Sequence, residues 1–298
     1  MTAFRIHRGV LARHSTVFND MLSLPQPADA DLFEGCPVVP MYDLPKDLSS
    51  LIHYLYDGFG TFEYKCIDDF FQLAGILRLA SKYFIEPIRQ QAVRILTNIW
   101  PATLLGHDQM IETALITPAV DNLTYPYAHP LHVLNLAREL DISILIPMAL
   151  YFLTIYPLSE IIAANHPKLI TEHSSKPSNI LSSKDIQLYT LMYQYRLQVL
   201  SSFIHDFCSQ RIRKPACGNS TTCPKAFSGL VSQLHRSSNL KTNPLYEIRR
   251  TIDHVMCNHN LCSVCRTDFN TQAIKLRKSA WDDIPSIIGF PPWDQLRA

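Results

Sequence analysis

The first residues of the chain constrain its fold. Residues 4–8 (FRIHR) alternate apolar and polar side chains, which predicts a β-strand with one buried face. After Gly9, apolar residues recur at three- and four-residue steps as far as Leu22, and this period predicts a helix. Because the backbone groups of a strand need partners, the pattern predicts a sheet within a fold that mixes strands and helices.

Four further elements are predicted in the first hundred residues. A short strand is expected around Val38 to Met41, with prolines that favour an edge or strand-end position. A helix follows from Pro45 to Asp57, where Asp57-Gly58 ends it. Residues 67–100 then show the apolar period of two consecutive helices. These elements together form one predicted unit, residues 1–100.

The rest of the chain divides into two predicted parts. Residues 101–207 show helical periodicity apart from a polar loop at residues 166–179, which predicts a helical extension. Residues 208–298 are rich in Cys, Ser, Asn and Pro and predict an irregular, partly helical C-terminal region. The predicted fold class is therefore α+β, with a small sheet flanked by helices and followed by a mostly helical C-terminal extension.

Composition and motifs exclude several functions. Charged residues make up 18% of the chain, below the roughly 25% of an average soluble protein, so either the surface is poor in charge or a partner covers part of it. No phosphate-binding glycine motif, nucleophile elbow or metalloprotease motif occurs, so we expect neither an enzyme nor a small-molecule substrate. The longest uncharged run, residues 142–159, contains Pro147 and Pro157 and is interpreted as a buried helix, with no membrane interaction expected.

Three linked segments resemble the BTB/POZ domain family: FRIHRGVLARHSTVFNDML, VVPMYDLPKDLSSLIHYLYDG and LRLASKYFIEPIRQQAVRIL. The resemblance covers about the first third of the chain. It implies a small β-sheet flanked and capped by helices. It also assigns a structural core to ten residues: Phe4, Ile6, His7, Leu11, Val17, Phe18, Met21, Leu51, Leu55 and Tyr56.

The resemblance extends to one subgroup of the family. EGCPVVPMYDLPKDL, NLARELDISILIPMALYFL and WDDIPSIIGFPPWDQL look most like BTB proteins that are abundant in mushroom-forming (basidiomycete) fungi. BTB domains usually begin with a strand before the one that residues 4–8 resemble. That strand has no counterpart here, so we expect the sequence to be truncated at its N-terminus or another chain to supply the strand.

The family resemblance implies a function in protein–protein interaction. BTB domains commonly form homodimers, and many are substrate adaptors that bind the scaffold of a cullin-type ubiquitin ligase. Such adaptors often carry a hydrophobic-x-Glu motif, which Leu32-Phe33-Glu34 matches. Leu32 would fill an apolar pocket and Glu34 would accept hydrogen bonds at a helix N-terminus. A solvated loop is the simpler interpretation of so short a motif.

Six of the eight cysteines fall between residues 208 and 265. No secretory signal is visible, which favours a cytoplasmic or nuclear location and hence metal binding or free thiols over disulfides. Cys262-Ser-Val-Cys265 has the spacing of a zinc ligand pair, and Cys217 with Cys223 is the leading second pair. Structural zinc, free thiols and redox or disulfide use all remain open. The substitute ligands are Cys208, His254, Cys257 and His259.

A second function stays open beside the first. A BTB-type transcription or chromatin factor could use a zinc-stabilised C-terminal region to contact DNA. The basic residues of this region are few and do not form a convincing nucleic-acid groove, so nucleic acid is the less favoured partner: Arg211, Arg213, Lys214, Arg249 and Arg250.

Overall fold

The computed structural model describes residues 2–24, 32–60, 62–211 and 217–297, and these residues are mostly helical. Within them, the only sheet consists of Leu32–Phe33 (β1) and Cys36–Pro37 (β2), which pair antiparallel. Glu34 and Gly35 connect them, both with positive φ (48° and 73°), as a tight hairpin turn requires. The architecture fits an α+β fold with a helical extension.

Sixteen α-helices make up most of the described chain. In the first half they are α1 (Arg8–His14), α2 (Thr16–Ser23), α3 (Pro45–Asp57), α4 (Ile67–Lys82), α5 (Glu86–Ile99), α6 (Leu104–Ile116) and α7 (Pro130–Glu139). A 3-10 turn, Ser143–Leu145, then precedes α8 (Ile146–Leu153), α9 (Leu158–Ala163) and α10 (Pro167–Ile170). The remaining helices are α11 (Ser183–Ser201), which continues as a π-helix over Ser202–Cys208, then α12 (Thr222–Ser237), α13 (Pro244–Met256), α14 (Ser263–Asp282), α15 (Ile284–Ile287) and α16 (Trp293–Arg297).

Both predicted strands are wrong. Residues 4–7 have no regular structure, and α1 begins at Arg8. No described segment pairs with them, and the backbone N–H of His7 instead donates to the Tyr56 hydroxyl at 3.1 Å. The strand predicted around Val38 to Met41 is also absent, because the pairing stops at Pro37, and proline has no N–H to donate to a ladder.

A small hydrophobic cluster holds α2, α3 and α4 together around Phe18 and Leu51, and both of these predicted core residues are buried. Four more predicted core residues are partly buried against it: Leu11, Val17, Met21 and Leu55. Phe4 and Ile6 are half-buried outside this cluster. His7 and Tyr56 are wrongly assigned to the core, since both are exposed and their side chains contact each other through His7 Nδ1 and the Tyr56 hydroxyl at 3.1 Å.

A larger hydrophobic cluster crosses both predicted domain boundaries. It packs Phe70 of α4 and Leu96 of α5 with Leu150 of α8 and with Trp281 and Trp293 near the C-terminus. Side chains from all three predicted parts therefore share one core. A third cluster joins the π-helix to α12, α13 and α14.

Within the apolar run at residues 142–159, the predicted buried core helix spans only Ile146–Leu153, and α9 begins at Leu158. Every residue of α8 is buried. Among the described residues, no single helix has the length and hydropathy to cross a membrane; Ser143–Leu153 and Leu158–Ile170 pass such a test only jointly, with a 114° bend between them.

Residues 173–178 attach the helical extension to α3 and α4. The Ser175 hydroxyl donates to the buried carboxylate of Asp47 at 2.5 Å, and Arg78 Nη1 donates to the Ser175 carbonyl at 2.7 Å. The ring of His173 stacks on Phe71, with centroids 5.1 Å apart. This segment therefore covers part of the α3–α4 surface.

Two histidines are fully buried in α7 and at its N-terminus. His129 Nδ1 accepts from the Leu131 N–H, and His132 Nδ1 lies 3.4 Å from the Ser178 carbonyl. Burial lowers the pKa of His129 to about 2 and that of His132 to about 4. The nearby Lys168, whose Nζ donates to the Pro126 carbonyl at 2.9 Å, adds to the cost of charging His129. Both imidazoles are therefore neutral in the folded chain at neutral pH.

We expect these histidines to make the fold acid-labile. Unfolded histidines take up protons below about pH 6.5, whereas His129 and His132 do not until far lower pH. The contribution of the two neutral imidazoles to the free energy of unfolding is fully present above pH 6.5 and is lost as the pH falls. The free energy of unfolding should drop by about 2 kcal/mol between pH 6 and pH 5. Urea denaturation at pH 7, 6 and 5 measures this drop. The His132→Asn variant should reduce the slope of stability against pH. Equal midpoints at all three pH values would contradict the prediction.

Candidate metal centre

Four cysteine sulfurs meet in the C-terminal region. The Sγ atoms of Cys217, Cys223, Cys262 and Cys265 all lie within 4.8 Å of one another. Cys217 Sγ is 3.5 Å from Cys265 Sγ and 3.9 Å from Cys262 Sγ. Four thiolates around one Zn²⁺ at about 2.3 Å lie about 3.8 Å apart, whereas bonded sulfurs lie about 2.05 Å apart. The spacing therefore suits a metal tetrahedron and not a disulfide.

Two helix N-termini position three of these sulfurs. Cys262 is the N-cap residue of α14 and Cys265 lies in its first turn, so the two-residue spacing directs both sulfurs to one point. Cys223 lies in the first turn of α12, and its Sγ accepts from the Cys262 N–H at 3.3 Å. Helix N-termini present free N–H groups and a partial positive charge, which stabilise thiolates.

The thiols of the cluster differ in acidity. The Cys265 N–H, which hydrogen-bonds to the Cys262 sulfur, is the largest cause that lowers the pKa of Cys262, to about 6. Burial raises the pKa of Cys265 and that of Cys223, and the Cys262 side chain adds to both, whereas the hydrogen bond from the Cys262 N–H lowers the pKa of Cys223. The protein groups thus stabilise one thiolate. A bound cation would supply the charge that further thiolates need.

The four cysteines lie against a hydrophobic core. Cys217, Cys223 and Cys265 are buried and Cys262 is half-buried. The sulfurs adjoin the cluster that contains Phe203, Phe227 and Phe269. A metal here would hold the start of α12 and the start of α14 to the loop that carries Cys217.

The four leading candidates from the sequence are the residues that come together. The substitute ligands do not join them. Among the described residues, the side chains close enough to share a metal ion do not include Cys208, His254, Cys257 or His259. Cys208 is buried within the neighbouring core and Cys257 is exposed at the end of α13. Four thiols could therefore bind a metal ion at this point.

The other predicted site lies on the hairpin. Leu32 is 66% exposed in β1, and Glu34 is exposed in the turn. The adjacent Phe33 is 58% exposed, so the hairpin presents apolar side chains next to a carboxylate. The residues immediately before it, 25–31, lie outside the described residues, as do Arg213 and Lys214.

Sequence reasoning missed the contact between Asp47 and Ser175. The two residues are 128 positions apart, and neither stands in a recognisable motif. The one local signal is Gly75, a glycine inside the strongly apolar helix α4, which can indicate a close approach of another group.

Fold and site together define an α+β unit with a helical extension that carries a four-thiol centre. Residues 1–99 match the family model described as BTB/POZ domain, which supports the resemblance found in the sequence over one third of the chain. A BTB/POZ domain suggests a protein–protein interaction module. Neither the search of curated proteins nor the search of solved structures found a match.

Proposed function

We propose that this chain is a non-enzymatic interaction protein that self-associates through its BTB/POZ-like part and acts as a substrate adaptor for a cullin-type ubiquitin ligase. The match of residues 1–99 to the BTB/POZ family carries the proposal. The exposed hairpin supports the adaptor role, since Leu32 and Glu34 offer an apolar side chain and a carboxylate to a partner.

We further propose a structural Zn²⁺ ion bound by Cys217, Cys223, Cys262 and Cys265. Four thiolates would complete a tetrahedral shell, and a closed shell has no position for water or substrate. The ion would therefore stabilise the C-terminal helices without taking part in catalysis. The Sγ–Sγ separations of 3.5 and 3.9 Å support this assignment.

The interaction proposal predicts that the chain binds a second copy of itself and, separately, a cullin-type scaffold. Affinity-purified full-length chain should run as a dimer in native mass spectrometry and should retain a purified cullin-type scaffold. The double variant Leu32→Ala/Glu34→Ala should keep the dimer and lose most of the scaffold, because the motif contacts only the scaffold. Leu115→Ala is a matched control, since Leu115 is also 66% exposed but lies on α6.

Two outcomes of this experiment would contradict different parts of the proposal. Scaffold retained by the double variant would reject the role of Leu32 and Glu34. Recovery of neither a second copy nor a scaffold would contradict the interaction proposal as a whole.

The DNA-binding alternative has less support. Most of the basic side chains that DNA binding would need already form ion pairs with carboxylates. Arg211 Nη1 donates to Asp268 at 2.9 Å, Arg250 Nη2 donates to Glu247 at 2.7 Å, and Arg249 pairs with Glu112 and Asp108. Neutralised cations add little to the binding of a phosphate backbone.

A further inference from the structure

An open groove of about 460 Å³ lies between the start of α6, the helices α13 and α14, and the C-terminal α16. It is separate from the four cysteines and from the hairpin, and no sequence motif indicates it. Its volume falls within the range of about 300–1,000 Å³ that ligand pockets occupy.

The groove has an excess of positive charge. Four cationic side chains line it, against the two carboxylates of Asp108 and Asp282: Arg249, Arg277, Lys278 and Arg297. Residues 208–298, the part of the sequence that supplies most of the groove, contain 13 Lys and Arg residues but six Asp and Glu residues. A field of this sign attracts anionic partners.

Two of the four cations are structural. Arg277 is buried, its Nη1 donates to Asp108 Oδ2 at 3.0 Å, its Nη2 donates to the other oxygen of Asp108, and its Nε donates to the Leu245 carbonyl at 2.7 Å. Arg249 pairs with Asp108 and with Glu112, which stands outside the groove. These contacts hold α13 and α14 against α6 and leave few donors for a ligand.

The other two cations keep donors for a ligand. Lys278 makes an ion pair with Asp282 at 2.6 Å, and both side chains of this pair are more than half exposed. Arg297 is exposed, and within the described part of the chain its hydrogen bond is from Nη1 to the Ala102 carbonyl at 3.3 Å. A carboxylate could therefore bind Arg297 and compete with Asp282 for Lys278.

The apolar wall of the groove suits an aliphatic side chain and not a nucleobase. Ile274 is 50% exposed and Ile252 is half-buried beside it. The two tryptophans, Trp281 and Trp293, stack on each other with centroids 5.0 Å apart and are both buried, so neither offers a free face. Base recognition without hydrogen-bond readout relies on such a face.

We propose that this groove binds an acidic peptide segment that also carries an apolar side chain. The carboxylates of the segment contact Lys278 and Arg297, and its apolar side chain packs on Ile252 and Ile274. The partner is a protein with an exposed acidic and apolar stretch. The proposal does not depend on the function of the BTB/POZ part.

The test uses the full-length chain and a labelled hexapeptide, EDLFED, in fluorescence anisotropy. We expect saturable binding that weakens as NaCl is raised from 50 to 500 mM, because salt screens exposed charges. Lys278→Glu and Arg297→Glu should each weaken binding by about tenfold. The matched charge reversal Arg236→Glu on α12 lies outside the groove and should change binding by less than about twofold.

Two further peptides and one further variant separate the contributions. QNLFQN lacks the charges and EDGSED lacks the apolar side chains, so both should bind at least about tenfold more weakly than EDLFED. Ile274→Ser removes the apolar side chain without adding a charge and should weaken the binding of EDLFED by a similar factor. All substituted side chains are exposed, and circular dichroism checks that the helices are retained.

Three results would overturn the proposal. Equal binding of QNLFQN would remove the role of charge. Equal binding by the Lys278→Glu and Arg297→Glu variants would place the peptide elsewhere. Tighter binding of a single-stranded octanucleotide that depends on Lys278 and Arg297 would assign the groove to nucleic acid.

Discussion

A Cys265→Ser variant is expected to lose the zinc ion that we propose and to destabilise the helices α12, α13 and α14 by about 3 kcal/mol or more. Cys265 is buried, and its sulfur lies 3.5 Å from that of Cys217. A serine oxygen is a poorer zinc ligand than a thiolate, so the site would hold the ion weakly. The start of α12 and the start of α14 would then lose their shared attachment.

Elemental analysis and urea denaturation measure the two effects on the same samples. Wild-type chain purified with zinc present should contain about one zinc per chain, and a chelator should lower its stability to near that of Cys265→Ser. Cys257→Ser is the matched control for an exposed thiol, and Cys208→Ala for a buried one. Both controls should keep the zinc. Wild-type chain that carries no zinc, with a stability that a chelator does not change, would contradict the assignment.

A Gly75→Ala variant is expected to destabilise the fold by about 2–4 kcal/mol. The sign is unusual, because alanine in place of a helical glycine normally stabilises by up to about 1 kcal/mol. At Gly75 the added methyl group would overlap the carboxylate of Asp47. Asp47 is buried and accepts from the Ser175 hydroxyl, so it cannot move without breaking that hydrogen bond.

Gly229→Ala in α12 is the matched control, since nothing lies within 4 Å of the added methyl group there. It should stabilise the chain slightly. Asp47→Ala should reduce the penalty of Gly75→Ala, because it removes the overlapping group, and a double-mutant cycle measures this coupling. Thermal unfolding of the four variants gives the values. A stabilising Gly75→Ala would show that Asp47 can move aside at little cost.

Local periodicity predicted most of the helices. The segments from Pro45 to Asp57 and from residue 67 to 100 repeat their apolar residues at helical steps, and the structure has helices at both. The strand at residues 4–8 was wrong because alternation alone cannot form a strand without a partner segment. The hairpin at Leu32–Pro37 was missed, since it is two residues long on each side.

The candidate metal site was predictable because clustered cysteines have few functions, of which metal binding is one. Cys262 and Cys265 stand at a spacing that few other functions require, and the structure brings Cys217 and Cys223 to them. Tyr56 was misplaced because the family resemblance does not determine which side of a helix faces water in this chain. The groove residues come from α6, α13, α14 and α16, whose proximity depends on tertiary packing that periodicity does not encode.

Because residues 173–178 attach to α3 and α4, a fragment that lacks them does not keep the surface of the intact chain. A fragment cut at residue 100 loses the Ser175 partner of Asp47 and both acceptors of Arg78, the Glu139 carboxylate and the Ser175 carbonyl. It also uncovers Phe70 and Phe71, which the extension keeps buried. Used as bait, such a fragment would collect proteins on a surface that the full chain never presents. Partner screens therefore need the complete chain.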